Sequence, residues 1–382
     1  MTAEEGVAGP HRIARALGLP EPTDEQAAVI AAPVEPALVV AGAGAGKTET
    51  MAARVVWLVA NGLVSAEQVL GLTFTRKAAR QLADRVRARL RRLAGSGLLD
   101  ELDPGGARTA EVQAGEPTIL TYHAYAGRLV AEHGLLLPVE PGVRVLTETA
   151  AWQLAHRVVS TWAGDIDTDK APATITAHVL RLSGELAEHL VDAGRLTSYS
   201  DELCKLIGNA PLAPRQRKSE LPVALREVLA AQRLRVSLLP LVEAYGQAKR
   251  REATVDFADQ MALAARLATE HEQVAAGERE RFAAVLLDEY QDTGHAQRVL
   301  LRTLFGCGRA LPVTSVGDPA QAIYGWRGAS AANLPRFTTD FPVTIHGRLA
   351  PARRYGLLTS FRNPPQVLAL ANEVSGPLRA VG

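Results

Sequence analysis

One glycine-rich segment constrains the fold of this chain more than any other. Residues 41–48 read Ala-Gly-Ala-Gly-Ala-Gly-Lys-Thr, and they directly follow the apolar run 37–40. A buried strand that turns through glycines into Lys-Thr and then into a helix is typical of a phosphate-binding loop. The glycines let backbone N–H groups face phosphate oxygens, and the helix that starts at Lys47 adds its positive N-terminal end. A glycine-rich turn without function is the alternative, which Gly-Lys-Thr after an apolar strand disfavours.

The pattern also assigns roles within this loop. Lys47 is expected to reach the β- and γ-phosphates, and Thr48 is expected to ligate Mg²⁺. Ala41 stands where the strict pattern has its first glycine, and alanine is tolerated there if its φ is negative. The predicted nucleotide-binding residues of this segment are Gly42, Ala43, Gly44, Ala45, Gly46, Lys47, Thr48 and Glu49.

A second apolar run, residues 285–287, leads into the acidic string DEYQD at residues 288–292. In α/β sheets, ligands bind at the carboxyl ends of the strands. Asp288 is therefore expected to hold Mg²⁺, directly or through water, and Glu289 to orient and deprotonate the attacking water. A solvated acidic turn is the alternative for this string taken alone. Together with the Lys47 loop, the string predicts both halves of a nucleotide site.

The spacing of apolar residues divides the chain into regions of different character. Strand–helix alternation over residues 37–130 indicates a parallel sheet covered by helices. Residues 98–115 are rich in Gly, Asp and Pro, and they are predicted to form a surface loop. Alanine-, leucine- and arginine-rich stretches at 173–193 and 222–250 predict amphipathic helices, joined by a polar connection at 209–221.

The string DEYQD resembles motif II of superfamily 1A DNA helicases, the UvrD/Rep/PcrA and RecB group. Further strings that resemble this family follow in the family's order and together span residues 23 to about 372. They are TDEQ at 23–26 (Q motif), LTFTRKAA at 72–79 (motif Ia), TYHA at 121–124 (the TFHA strand end), VDFAD at 255–259 (the DFDDL segment), GDPAQAIYGWRGA at 317–329 (motif III) and SFRN at 360–363 (motif IV). Seven ordered matches are more specific than any single one.

The resemblance implies the fold class and the organisation of the chain. The expected fold is α/β, a P-loop NTPase with a RecA-like parallel sheet and an inserted helical subdomain. The expected parts are residues 1–135 as the first part of ATP-binding domain 1A, 136–253 as the helical insertion 1B, 254–355 as the second part of domain 1A, and 356–382 as the truncated start of a second RecA-like domain, 2A.

The resemblance also implies roles for single residues outside the two loops. Gln26 is expected to read the adenine edge, and Arg362 joins Glu289, Lys47 and Gln321 as a catalytic residue. The run 313–316 predicts a strand beside the Lys47 loop, so the Gln321 amide can sense a γ-phosphate. The predicted DNA-binding residues are Phe74, Thr75, Arg76, His123, Tyr324, Trp326 and Arg327.

The sequence around Trp326 distinguishes a DNA-binding role from a structural one. A lone tryptophan is usually part of a buried core. The string Tyr-Gly-Trp-Arg-Gly is different, because its glycines expose the ring and Arg327 adds a cation. Stacking of a base on an aromatic ring contributes about 1–3 kcal/mol and tolerates any base sequence. The loop therefore predicts a base platform that is linked to the phosphate sensor Gln321.

The formal net charge of +1 means that any nucleic-acid surface has to be a local patch. The arginine-rich run 85–92 is one candidate, and a solvated helix face is an equally weighted alternative. The runs 215–218 and 249–251 are weaker candidates.

Other features of the sequence indicate the cellular compartment of the protein. Cys204 and Cys307 lack metal-ligand spacing and argue against a disulfide framework. Residues 1–9 are unlike a signal peptide, and no apolar run is as long as a membrane span. A cytoplasmic protein without a membrane partner is expected.

Together these features predict an ATP-dependent DNA helicase or translocase of DNA repair or recombination, with ATP and Mg²⁺ as cofactors and with single-stranded DNA and duplex junctions as partners. The family resemblance alone implies 3′-to-5′ polarity. The alanine- and arginine-rich strings are most similar to the B subunits of actinobacterial AdnAB helicase–nucleases, which implies a helicase–nuclease partner subunit. Two alternatives remain, a subunit of such an assembly that does not unwind on its own and a nucleotide-dependent DNA-binding module. A GTPase is disfavoured because no Asn-Lys-x-Asp string is present.

The family's motifs V and VI and a nuclease carboxylate cluster are not among the 382 residues. The chain is therefore expected to be the N-terminal part of a longer helicase. On this interpretation residues 356–382 should pack poorly, and Arg362 should not be held in place.

Overall fold

The structure is a computed structural model that describes residues 7–140, 142–166, 168–211, 221–306 and 311–379. It divides into a sheet unit, Met1–Arg128 with Ala265–Gly382, and a helical unit, Leu129–Ala264. The predicted insertion 136–253 lies within the helical unit, and its domain boundaries stay a prediction. The predictions for the basic run 215–218, for Cys307 and for most of the connection 209–221 lie outside the described residues.

Ten strands occur among the described residues. They are β1 Ala37–Ala41, β2 Val69–Thr73, β3 Thr118–Thr121, β4 Arg144–Val145, β5 Thr254–Val255, β6 Ala284–Leu287, β7 Val313–Gly317, β8 Val343–Ile345, β9 Arg348–Ala350 and β10 Arg353–Leu357.

Eighteen α-helices occur in the same described ranges, none of them long and apolar enough to cross a membrane. They are α1 Pro10–Ala16, α2 Asp24–Ile30, α3 Lys47–Ala60, α4 Arg76–Ala94, α5 Leu98–Leu102, α6 Ala107–Ala114, α7 Tyr122–His133, α8 Glu148–Ser160, α9 Pro172–Glu188, α10 Ala193–Gly208, α11 Val223–Ser237, α12 Leu239–Arg251, α13 Phe257–Glu270, α14 Glu272–Arg281, α15 His295–Phe305, α16 Asn333–Asp340, α17 Pro365–Val374 and α18 Gly376–Arg379.

The sheet unit is built on six parallel strands in the order β10-β1-β7-β6-β2-β3. β2, β6 and β7 are buried along their whole length, as expected for parallel strands covered on both faces. The register pairs Val39 with Val316, and Leu286 with Thr314. The predicted parallel α/β sheet is confirmed, and the loops that follow β1, β7 and β6 leave the sheet side by side.

The helical unit has its own apolar core, formed mainly by α8, α9 and α12 together with Leu146, which lies two residues before α8. Leu154, Val179 and Tyr245 are among its most buried side chains. The prediction of helices over 173–193 and 222–250 is confirmed by α9, α11 and α12. The short parallel pair of β4 and β5 was not predicted, because two-residue strands carry no periodicity.

The prediction of a surface loop over residues 98–115 is wrong. The segment contains α5 and α6, and Leu98, Leu99 and Val112 are buried in the core of the sheet unit. Gly97 and Gly106 precede the two helices at φ +76° and +73°. These glycines lie at the starts of two short helices, whereas composition alone suggested an irregular loop.

The expectation of poor packing from residue 356 on is wrong for the first residues of that segment. Gly356 and Leu357 end strand β10, which pairs with β1 at the edge of the sheet. The Leu358 N–H then donates to Glu25 Oε2 at 2.8 Å. Helix α17, in contrast, has no buried residue, although Val367 and Leu370 lie on it.

Arg54 on α3 is completely buried and is held by oxygen atoms from two other elements and a loop. Its Nε donates to Thr314 Oγ1 on β7 at 2.9 Å. Its terminal nitrogens donate at 2.9–3.1 Å to the carbonyl oxygens of Val29, Ile30, Ala32 and Pro33, at and just beyond the end of α2. Burial lowers the pKa of Arg54 to about 10, and the C-terminal end of α2 favours a cation at this place.

We expect Arg54→Met to reduce the free energy of unfolding by at least about 3 kcal/mol, because each buried acceptor left without a donor costs about 1–3 kcal/mol. Arg54→Lys should lose less of this free energy, since an ammonium group can still donate to some of the oxygen acceptors around position 54. Arg266→Met, which loses only a surface pair with Glu270, should change stability by less than about 1 kcal/mol. Urea unfolding of the three variants checks this, and equal losses for Arg54→Met and Arg266→Met would contradict it.

Candidate active site

The loop after β1 has the geometry that its sequence predicts. β1 ends at Ala41, and α3 begins at Lys47 with Gly46 before it. Gly44 and Gly46 have φ values of +77° and +79°, which residues with a Cβ rarely adopt. Ala41 lies in the extended strand, so the alanine at this position is accommodated without strain.

The two predicted catalytic loops meet through an ion pair. Lys47 Nζ lies 3.2 Å from Glu289 Oε2, with the two side chains 11% and 34% exposed. Glu289 follows β6 and has φ +50°, an uncommon conformation for a residue other than glycine. Unusual backbone geometry of this kind concentrates at functional sites. The predicted residues Lys47 and Glu289 are therefore brought together, although 242 positions separate them.

Asp288, the other acidic residue at the end of β6, is only 5% exposed. Burial and the negative charge of Glu289 raise the pKa of Asp288 to about 6, and the charge of Lys47 opposes this shift. Its Oδ1 accepts from the Glu289 N–H at 3.0 Å.

The oxygen donors near the loop fit a hard cation. A carboxylate such as Asp288 and a hydroxyl such as Thr48, in the first turn of α3, are ligands that Mg²⁺ uses together with waters and substrate phosphates. No group of three or more His, Cys, Asp or Glu side chains suited to a metal occurs in the described part of the chain. A site of this composition would need oxygens from the nucleotide as well.

Gln321 lies in a 3₁₀ turn, Pro319–Gln321, directly after β7. Its Nε2 donates to Asp318 Oδ2 at 2.7 Å. β7 pairs with β1 and with β6, so this turn starts between the Lys47 loop and the Glu289 loop. The prediction that the strand before Gln321 lies next to the strand of the Lys47 loop is confirmed.

Gln26 caps its own helix and also lies against the phosphate loop. Its Oε1 accepts from the Thr23 N–H at 3.2 Å, in a reciprocal capping box. A Cβ on Gly46 would lie 2.9 Å from Gln26 Nε2, so a side chain at this position would displace the Gln26 amide. The predicted adenine contact of Gln26 stays a prediction.

The segment around Arg362 lies on the loop that follows β1. The Phe361 N–H donates to Gly44 O at 2.9 Å, and Ser360 Oγ donates to Ala43 O at 2.9 Å. A Cβ on Gly44 would lie 2.5 Å from Arg362 Cβ. The expectation that Arg362 is not held in place is therefore wrong for its backbone, while the side chain is exposed.

The predicted DNA-binding residues after β2 and β3 lie at neighbouring strand ends. Phe74 packs against Tyr122, with ring centroids 4.8 Å apart, and the Tyr122 hydroxyl donates to Asp288 O at 3.0 Å. Thr75 Oγ1 accepts from the Ala78 N–H and caps α4, which leaves Arg76 exposed in its first turn. His123 is partly buried, and this burial lowers its pKa.

The aromatic loop after Gln321 is open to solvent. Trp326 is 74% exposed, and the Arg327 guanidinium lies 4.6 Å from the centre of its ring. Tyr324 is also exposed, with its ring centroid 6.4 Å from that of Trp326. This exposure rules out the alternative of a buried core tryptophan.

The basic runs are less available than their sequence suggested. Arg89 on α4 is buried and paired with Glu49, and Arg85 also pairs with Glu49. Arg87 pairs with Glu116 at 3.0 Å. In the run 249–251, Lys249 is buried between two aspartates. These ion pairs favour a structural role over a DNA-binding one for the paired residues, and they assign Glu49 a partner within the protein.

Comparison with known proteins agrees with this arrangement. Residues 22–342 match the family model described as the UvrD/REP helicase N-terminal domain. DNA helicase II of Escherichia coli is 28% identical over 91% of this chain and 39% of its own length. The ATP-dependent DNA helicase PcrA of Leuconostoc citreum is 27% identical over 92% of this chain and 38% of its own length. The ATP-dependent DNA helicase UvrD2 of Mycobacterium bovis is 32% identical over 93% of this chain and 43% of its own length.

The chain thus spans about two fifths of the length of these relatives. The family model covers residues 22–342, most of the 382-residue chain. The RecA-like sheet, the phosphate loop and the ordered motifs belong to the same region. This chain is a member of the UvrD/REP helicase family, and it matches the N-terminal domain of that family.

Proposed function

We propose that this chain is the ATP-binding motor region of a DNA helicase or translocase that uses ATP and Mg²⁺. The observation that carries the proposal is the pairing of Lys47 with Glu289 across the ends of β1 and β6, with Gln321 in the turn that follows β7, the strand between them. A phosphate-binding lysine, a candidate base and an amide sensor from three separate loops are the parts that nucleotide hydrolysis needs.

Lys47 has two candidate partners in this proposal, the Glu289 carboxylate and a phosphate. The backbone N–H groups of residues 43–48 and the N-terminal end of α3 favour an anion beside Lys47. A triphosphate would compete with Glu289 for the Lys47 ammonium and so free the Glu289 carboxylate. That carboxylate would then orient a water and accept its proton.

Asp288 and Thr48 would hold Mg²⁺ in this proposal. Bound there, Mg²⁺ would neutralise phosphate charge during the transfer. The buried Asp288 carboxylate is kept in place by the Glu289 N–H, and burial together with the charge of Glu289 raises its pKa.

The exposed loop with Tyr324 and Trp326 would bind single-stranded DNA by stacking, with Arg327 close to the ring. Phe74, Thr75, Arg76 and His123 would extend this surface across the ends of β2 and β3. Stacking suits a motor because it does not depend on base sequence.

Activity of the whole protein, including 3′-to-5′ unwinding at duplex junctions in repair or recombination, forms part of the same proposal. Support comes from the relatives, whose names describe ATP-dependent DNA helicases. The resemblance to AdnAB B subunits adds a helicase–nuclease partner subunit to the proposal.

A nucleotide-dependent DNA-binding module is the second candidate. It is favoured by the exposure of Arg362. Slow hydrolysis with normal nucleotide and DNA binding would identify this candidate.

Replacing Lys47 tests nucleotide binding. We expect Lys47→Ala to weaken Mg²⁺–ATP binding about 10- to 100-fold, because hydrogen bonds to charged groups contribute about 1.5–3 kcal/mol. Lys205→Ala, an exposed lysine on α10, is the matched control and should bind as the unaltered protein does. Calorimetric titration decides, and unchanged affinity in a folded Lys47→Ala protein would refute the site.

Replacing Glu289 tests the catalytic role. In the complete protein, Glu289→Gln should still bind ATP and DNA but lose turnover by roughly 10²-fold or more, as expected for loss of a general base. Glu270→Gln, which alters a surface pair with Arg266, serves as the control. DNA-stimulated phosphate release is the measurement, and near-normal rates in Glu289→Gln would exclude Glu289 as the base.

Replacing Trp326 tests the DNA surface. We expect Trp326→Ala to weaken single-stranded DNA binding by about 1–3 kcal/mol, the contribution of one stacking platform, with ATP affinity nearly unchanged. Trp152→Ala removes another partly exposed tryptophan, on α8, and should not affect binding. Fluorescence anisotropy with a labelled oligonucleotide compares the two, and equal affinities would argue against stacking on Trp326.

A further inference from the structure

The side chain of Gln291 lies between the Glu289 loop and the Gln321 turn and is only 1% exposed. Its Nε2 donates to Glu289 Oε2 at 2.8 Å and lies 3.3 Å from Asp292 Oδ2. Its Oε1 accepts from the Asp318 N–H at 3.1 Å. The amide orientation is fixed by chemistry, because only the NH₂ end can face two carboxylates and only the carbonyl end can face an N–H.

Asp318 continues the connection to the sensor residue. Its Oδ2 accepts from Gln321 Nε2 at 2.7 Å, and its Oδ1 accepts from the Ala320 N–H at 2.9 Å. A continuous path of polar contacts therefore runs from Lys47 through Glu289, Gln291 and Asp318 to Gln321.

Gly317 gives independent evidence that the structure makes room for Gln291. A Cβ on Gly317 would lie 2.6 Å from Gln291 Oε1 and 2.7 Å from Leu334 Cδ1. The φ of Gly317 is not positive, so backbone conformation does not require glycine here. A side chain at this position would have to displace the Gln291 amide and the Leu334 side chain.

We propose that Gln291 is a positioning residue that holds the Glu289 carboxylate and couples it to the Asp318–Gln321 turn. This inference rests on the proposed function for its consequences in catalysis. Glu289 Oε2 accepts from both Lys47 and Gln291. When Lys47 turns to phosphate, Gln291 is the donor that keeps the carboxylate in place, and a shift of the Asp318 turn is transmitted to Glu289 through the same amide.

The main test replaces Gln291 with leucine, which keeps most of the volume but none of the hydrogen bonds. In the complete protein, kcat of DNA-stimulated ATP hydrolysis should fall at least about tenfold, while ATP affinity changes less than about threefold, because misplacing a reacting group affects the chemical step. Gln297→Leu is the matched control. Gln297 is also buried and caps α15 through the Gly294 N–H, outside the path.

A double-mutant cycle tests the coupling between Gln291 and Gln321. If the path links the two residues, the kcat of the double variant Gln291→Leu/Gln321→Leu should lie within about twofold of the kcat of the slower single variant. Losses that multiply would overturn the coupling. Gly317→Ala, which displaces the Gln291 amide, should reproduce the kcat loss of Gln291→Leu.

A measurement without nucleotide separates this inference from the proposed function. Hydrogen–deuterium exchange of the peptide containing residues 317–321 should rise in Gln291→Leu and not in Gln297→Leu, because the Asp318 N–H loses its acceptor. Unchanged exchange and kcat in Gln291→Leu would overturn the inference. Failure of the unaltered protein to bind or hydrolyse ATP would instead refute the proposed function, and raised exchange would then still support the link between the two loops.

Discussion

The hydrogen bonds of the buried Arg54 guanidinium are the interaction on which the candidate nucleotide site depends. The guanidinium joins the end of α2, the body of α3 and strand β7 through hydrogen bonds of 2.9–3.1 Å. Each of these elements carries part of the site: Gln26 on α2, Lys47 at the start of α3, and Gln321 beyond β7. Burying a cation is costly unless every donor finds an acceptor, so this set of contacts allows little freedom in how the three elements pack.

The strand order explains why the catalytic loops meet where they do. β1, β7 and β6 are consecutive in the sheet, so their carboxyl ends bring together side chains that are more than two hundred residues apart in sequence. The Lys47–Glu289 ion pair and the buried Asp288 leave negative charge that is not fully balanced beside a loop suited to phosphates. This combination supports the proposed binding of a nucleotide together with a cation.

Local pattern was sufficient to predict β1, the Lys47 loop and β6, because the signal of each lies within a few adjacent residues. The rule about strand ends predicted that the Lys47 loop and the Glu289 loop lie together, but it did not predict the ion pair between these two residues. The roles of Arg54 and Gln291 were not predicted, because sequence alone shows neither that these side chains are buried nor that they reach Thr314 and Asp318. Helices α5 and α6 were missed because glycines that precede short helices resemble loop glycines.

A crystal structure of the complex with Mg²⁺ and a non-hydrolysable ATP analogue tests the central claim most directly. The account predicts phosphate oxygens on the backbone N–H groups of residues 43–48 and Lys47 Nζ moved from Glu289 to phosphate. It also predicts the cation beside Thr48 and Asp288, with Gln291 still bound to Glu289. A nucleotide bound elsewhere, or a Lys47–Glu289 ion pair that stays intact with the triphosphate bound, would contradict it.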